Sequence, residues 1–119
     1  MSQSLTNYHA GLAAEDSVAR HYLDAGYSLC ASRWRGQSGE IDLVVQGASG
    51  LVFVEVKKSR SFEKAARALG ARQQARIIGA AAEYLAAAYG TLDHEARFDL
   101  AVVDSTGTVQ VAENAFGGL

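Results

Sequence analysis

The stretch Gly39-Glu40-Ile41-Asp42-Leu43-Val44-Val45-Gln46-Gly47-Ala48-Ser49-Gly50-Leu51-Val52-Phe53-Val54-Glu55-Val56-Lys57 decides how this chain is read. Two runs rich in β-branched residues flank a Gly-Ala-Ser-Gly connection, which predicts a β-hairpin. With 47–50 as the loop, Gln46 faces Leu51, Asp42 falls opposite Glu55, and Glu40 falls opposite Lys57. Side chains alternate along a strand, so these four are expected on one face of the sheet. Directly opposed Cβ atoms lie ~4.5–5.5 Å apart, a distance at which two carboxylates repel. A hard divalent cation would relieve that repulsion, because Mg²⁺ takes oxygen ligands and often needs only one or two carboxylates plus water and phosphate. On an exposed sheet face the same acids would simply be solvated. The run 51–57 is apolar on both of its faces, however, as a central strand would be.

Outward from the hairpin, residues 5–25 form an amphipathic helical pattern with Leu5, Tyr8, Leu12, Ala19, Tyr22 and Leu23 on one stripe, ended by Gly26. Residues 27–34 are predicted as a strand, with a turn at 37–39. Residues 62–89 are predicted helical, in two pieces that meet near Gly70. The second piece aligns Ile77, Ile78, Ala81, Tyr84, Leu85 and Ala88. Strands at 97–104 and 108–112 complete the order α-β-β-β-α-β-β, an α/β class with a mixed sheet flanked by helices in one 119-residue domain. Two polar residues interrupt apolar helical stripes: Glu15 in the first helix and Gln74 in the later one. Each either reaches water at the core edge or points a polar group toward the sheet.

The whole-chain charge of −2 looks unsuited to a nucleic-acid partner. That number hides a strong asymmetry. Residues 1–56 are net −3 and residues 77–119 net −5, whereas 57–76 are net +6 through Lys57, Lys58, Arg60, Lys64, Arg67, Arg72 and Arg76. This segment is either a solvated helix face or a phosphate-facing strip. Arg33-Trp34-Arg35 precedes the hairpin; the indole is suited to stacking on a base or to closing the core edge. A single cysteine, Cys30, excludes a disulfide framework and a multi-cysteine metal site, and its apolar neighbours suggest a buried thiol. His9, His21 and His94 have no ligand spacing and are read as surface residues. With no apolar run near ~18–20 residues and no signal-peptide layout, a cytoplasmic protein with no membrane partner is expected.

Asp42, Glu55 and Lys57 form D-x12-E-x-K, which resembles the catalytic core of the PD-(D/E)XK nuclease superfamily. The longer set Gly39-Glu40-Ile41-Asp42-Leu43-Val44, Phe53-Val54-Glu55-Val56-Lys57 and Arg97-Phe98-Asp99 resembles the YraN-like family of small uncharacterised endonuclease-like proteins, as do Ala14-Glu15, Ala19, Tyr22-Leu23 and Gly26-Tyr27. The resemblance implies a restriction-endonuclease-like sheet and a Mg²⁺ or Mn²⁺ site on Asp42 and Glu55, with the Val56 carbonyl as a third ligand. It implies that Lys57 orients the attacking water or stabilises the transition state, that Glu15 completes the metal shell, and that Gln74 is a polar helix residue of the site. The chain departs from the pattern where Ile41 stands for the superfamily proline, Gln73-Gln74 for Lys-Gln, and Arg33 for Asn.

The first functional expectation is therefore a metal-dependent endonuclease hydrolysing phosphodiesters, DNA rather than RNA, at branched or flapped structures. Lys58, Arg60, Lys64, Arg67, Arg72, Arg76, Arg33 and Arg35 would contact the nucleic acid. The alternatives are a non-cutting nucleic-acid-binding module of the same fold, and a protein-interaction domain. The Ala-rich face of 80–88 or the tail Ala115-Phe116 would supply an apolar patch for the latter, including a homodimer surface.

Overall fold

The computed structural model describes residues 3–117, with side chains described from Gly11 onward. The stripe positions Leu5 and Tyr8, and His9, lie outside the described side chains. The chain runs α1 (Gln3–Asp24), β1 (Ser28–Arg35), β2 (Glu40–Gly47), β3 (Gly50–Lys58), α2 (Phe62–Ala68), α3 (Ala71–Tyr89), β4 (Ala96–Val103) and β5 (Val109–Phe116). The strands form one sheet in the order β1-β2-β3-β4-β5. Short turns make β1–β2, β2–β3 and β4–β5 antiparallel, whereas the crossover through α2 and α3 makes β3–β4 parallel. The mixed sheet flanked by helices is the architecture expected from the sequence.

Strand β3 is central because alternate residues serve two cores. Leu51 and Phe53 pack with Ile41, Val44, Ile77, Ala81, Leu85 and Phe98 on the α3 side. Val52 and Val54 pack with Ala14, Val18, Tyr22, Leu43 and Val45 on the α1 side. Burying one such large apolar side chain contributes about 1.5–3 kcal/mol, so both faces are firmly held. The helical segment breaks at Gly70, as expected. Ser61 caps α2 by accepting the Lys64 N–H, and Gly70 opens α3.

Four expectations are corrected. Cys30 is exposed, because it is the extra residue of a β-bulge between Leu29 and Ala31 on an edge strand. The last strand runs on to Phe116, whose ring is buried against Phe98, so this tail is core and offers no patch. Ala80, Ala81 and Leu85 likewise face the sheet, so that part of the Ala-rich face is core, whereas Ala86, Ala87 and Ala88 are exposed. Leu23 is 42% exposed, since the α1 stripe that packs down is Ala14, Val18 and Tyr22. No described helix is long and apolar enough to cross a membrane.

Candidate functional site

From Gly47↔Gly50 to Leu43↔Val54 the β2–β3 ladder keeps the register expected from the loop length, and there it stops. Asp42 does not pair with Glu55 through backbone bonds; its Oδ2 instead accepts the Val56 N–H at 2.8 Å. The cause lies on both strands. Arg33, across from Asp42, has φ +52°, and the β1–β2 ladder skips both residues. A left-handed non-glycine residue costs of order 1–3 kcal/mol and interrupts alternation. Ile41 and Val44 both enter the α3-side core as a result, as Trp34 and Ala31 do from β1.

This twist opens a cleft of about 480 Å³ lined by Gly39, Glu40, Asp42, Glu55, Val56, Lys57, Gln73, Arg76 and Ile77. The four hairpin residues line one cleft, although strict alternation is broken at Asp42. Glu55 is only 5% exposed. Its burial, then a hydrogen bond and like charge from Asp42, push its carboxyl up to about 9, against the pull of Lys57. Lys57 Nζ lies 3.6 Å from Glu55 Oε2.

Glu15 approaches from α1. Burial pushes its carboxyl up, and the charges of Asp42 and Glu40 add to that, with Arg33 opposing them. Its Oε2 lies 3.7 Å from Arg33 Nη1, while its buried Oε1 has no hydrogen-bond partner among the described residues. Glu15 therefore sits in the field of the cleft acids without lining the cleft itself. Among the described residues no group of three Asp, Glu, His or Cys side chains converges to cage a metal alone. Two carboxylates with water and phosphate oxygens still suit Mg²⁺. The crowding of the Asp42 and Glu55 carboxyls, and a Glu15 oxygen with no partner among the described residues, fit an added cation.

Gln74 does not face the acids; its Nε2 donates to the Leu69 carbonyl at 2.9 Å. Gln73 is the helix residue that reaches them. Its Nε2 donates to Glu55 Oε2, and its Oε1 accepts from Lys57 Nζ at 3.1 Å. The sequence reading missed it by centring the stripe between Ile77 and Ile78. The buried line is Ile77, Ala81 and Leu85, and one turn back from Ile77 is Gln73.

Lys58, Arg60, Lys64, Arg67, Arg72 and Arg76 are all exposed and make no ion pair among the described residues. Arg76 lines the cleft, whereas Lys58 turns to a groove on the opposite side of the sheet with Ser17 and Asp104. The basic segment is thus divided between two sides. Arg33 and Arg35 are engaged with acids, Arg35 with Glu40 at 3.0 Å. Trp34 closes the core edge against Tyr84, with ring centroids 5.3 Å apart. Asp99 is fully buried, and accepts from Arg97 Nε at 3.0 Å, Tyr22 OH at 2.7 Å and the Asn114 N–H at 2.9 Å. It clasps α1 to β4 and β5, away from the cleft.

Fold and site together define a class: a five-stranded mixed sheet between helices, with an open cleft of paired carboxylates and one lysine beside exposed cations. The chain belongs to the uncharacterised protein family UPF0102, whose sequence profile matches residues 14–103 and so spans every cleft residue. It is 51% identical to a UPF0102 protein of Ruegeria pomeroyi over 116 residues, covering 98% of this chain and 94% of that one. It is 52% identical to one of Roseobacter denitrificans over 108 residues, covering 91% and 84%. A third, from Cereibacter sphaeroides strain KD131, is 49% identical over 110 residues, covering 92% and 94%.

Proposed function

We propose that this chain is a divalent-metal-dependent nuclease of the PD-(D/E)XK type, hydrolysing phosphodiester bonds in DNA. The observation that carries the reading is the Asp42–Glu55 carboxyl pair held in an open cleft with Lys57 3.6 Å from Glu55. A buried acid crowded by a half-buried one costs stability and is hard to explain as structure alone. Asp42, Glu55 and the Val56 carbonyl would hold Mg²⁺ or Mn²⁺, with Glu15 supplying charge behind them. When bound, the metal would neutralise phosphate charge and lower the pKa of a water.

The chain's own groups do the rest. Glu55, once deprotonated, gives the cleft its second negative carboxylate. Lys57 places an ammonium where charge builds on the phosphate oxygens in the transition state. Arg76 at the cleft, with Lys64, Arg67 and Arg72 on the helices leading to it, holds the flanking phosphates. A cytoplasmic site of action follows from the same reading.

The test is a Mn²⁺-dependent cleavage panel of single-stranded, duplex, flap and junction DNA, with matched RNA. Asp42→Ala serves as the control. Cleavage by the parent and not by Asp42→Ala supports the reading. Tight, salt-dependent binding without cleavage would assign the fold to a non-cutting binding module instead.

A further inference from the structure

We infer that Gln73 is a positioning residue: one amide bridges Glu55 to Lys57 and fixes how each is presented to the cleft. The catalytic consequence rests on the nuclease reading above; the bridge itself does not. A lysine ammonium only donates hydrogen bonds, so the group facing Lys57 Nζ at 3.1 Å has to be the amide oxygen. That orientation turns the NH₂ toward Glu55 Oε2, the oxygen already nearest Lys57. Gln73 and Lys57 therefore both engage the same carboxylate oxygen. Glu55's second oxygen is left for the Asp42 side and for a cation shared with it.

At 73 this chain departs from the lysine of the resembled pattern, and an amide can both accept from Lys57 and donate to Glu55. A glutamate at 73 would accept from Lys57 but repel Glu55, and a lysine would donate to Glu55 but repel Lys57. Asparagine is one methylene shorter from the same helical position. The position is also well anchored: Gln73 stands in the first turn of α3, one turn before Ile77, which is buried in the sheet-facing core. The Gln74 side chain beside it donates to the Leu69 carbonyl and not to the acids, so the two glutamines are separable by experiment.

The experiment uses the full chain with Gln73→Leu, Gln74→Leu and Gln73→Glu. The first readout needs no catalysis: metal-free protein is labelled with trace acetic anhydride, and the acetylation of Lys57 is compared with that of exposed Lys64 by mass spectrometry. Without the amide oxygen Lys57 loses a hydrogen-bond partner and is held less closely in the cleft, so the Lys57 to Lys64 ratio is expected to rise severalfold in Gln73→Leu. It should stay at or below the parent value in Gln73→Glu, whose carboxylate still accepts from Lys57 and adds an opposite charge beside it. An unchanged ratio in Gln73→Leu overturns the bridge, whatever cleavage does.

The second readout is kcat and KM for Mn²⁺-dependent DNA cleavage. Gln73→Leu is expected to lose kcat by roughly 10–100-fold with KM little changed, as misplacement of an active group does. Gln74→Leu should lose less. Equal or larger loss in Gln74→Leu overturns the assignment to Gln73. If the labelling shift appears and the parent does not cut, the bridge stands and the nuclease reading falls.

Discussion

Replacing Glu55 with Gln is expected to stabilise the metal-free protein at neutral pH, even though it removes a central group of the cleft. Burial and Asp42 raise the Glu55 carboxyl from its ordinary 4.5 to about 9. Between those values the folded chain holds a proton that the unfolded chain has released. The native state then binds more protons, so stability falls as pH rises, by up to about 1.4 kcal/mol per pH unit. Near pH 7, about 2.5 units above 4.5, the accumulated penalty is roughly 3 kcal/mol. An amide at 55 keeps the shape, stays neutral, and still offers Asp42 a donor. The two proteins should have equal pH slopes below ~4.5 and diverge above it, the variant leading by roughly 3 kcal/mol near pH 7. Urea unfolding in the presence of a chelator, repeated across this range, measures the difference directly. A variant no more stable than the parent near neutrality, or a gap that does not grow with pH, would refute the proposed proton-holding pair. Saturating Mn²⁺ should close the gap from the parent's side, since a ligand at about 100 times its Kd adds about 2.7 kcal/mol.

Lys57→Ala should lower cleavage by roughly 10²–10³-fold, as loss of a transition-state donor does, while Mn²⁺ affinity by calorimetry changes little. Asp99→Asn breaks a buried pair with Arg97 and is expected to cost about 3–5 kcal/mol of unfolding free energy, seen as a lower urea midpoint, without altering metal affinity. Neutralising Lys64, Arg67 and Arg72 together should lower the slope of log affinity against log salt for duplex DNA by about 0.9 for each phosphate that is no longer neutralised, measured by anisotropy titration. A slope unchanged by the triple substitution would remove these residues from the interface.

What the sequence displayed depended on how local the cause was. Alternation and loop length were enough for the β2–β3 register through Leu43↔Val54, and helical periodicity was enough to place Glu15 among buried neighbours. The twist at Arg33 and Asp42 was hidden. Asn and Asp favour the left-handed region, and an arginine carries no such mark. The bulge at Cys30 was equally silent, so a residue with apolar neighbours became an exposed one. Gln73 was lost for a different reason. Two adjacent isoleucines made the stripe's centre ambiguous by one residue, and only packing against the sheet shows that Ile77 lies deeper than Ile78. The tail to Phe116 was read as too short a strand because its pairing with Phe98 lies beyond a ladder irregularity.

Strand β3 builds both cores with Leu51 to Val54 and then, without a break, presents Glu55 and Lys57. Construction of the scaffold and arming of the cleft are consequently one event. A slip of this strand by a single residue would turn its acid and its lysine to the other face and at the same time exchange the two cores, which neither helix layer could accommodate. Half of the cleft therefore cannot be misassembled in a molecule that is otherwise native, and damage to it should appear as loss of folded protein before it appears as a folded but inert population. The contribution from α3 has no such protection. Gln73 and Arg76 reach the cleft from a separate helix, where a substitution leaves the strand register untouched, so fine adjustment of this site through mutation is open on the helix and closed on the strand.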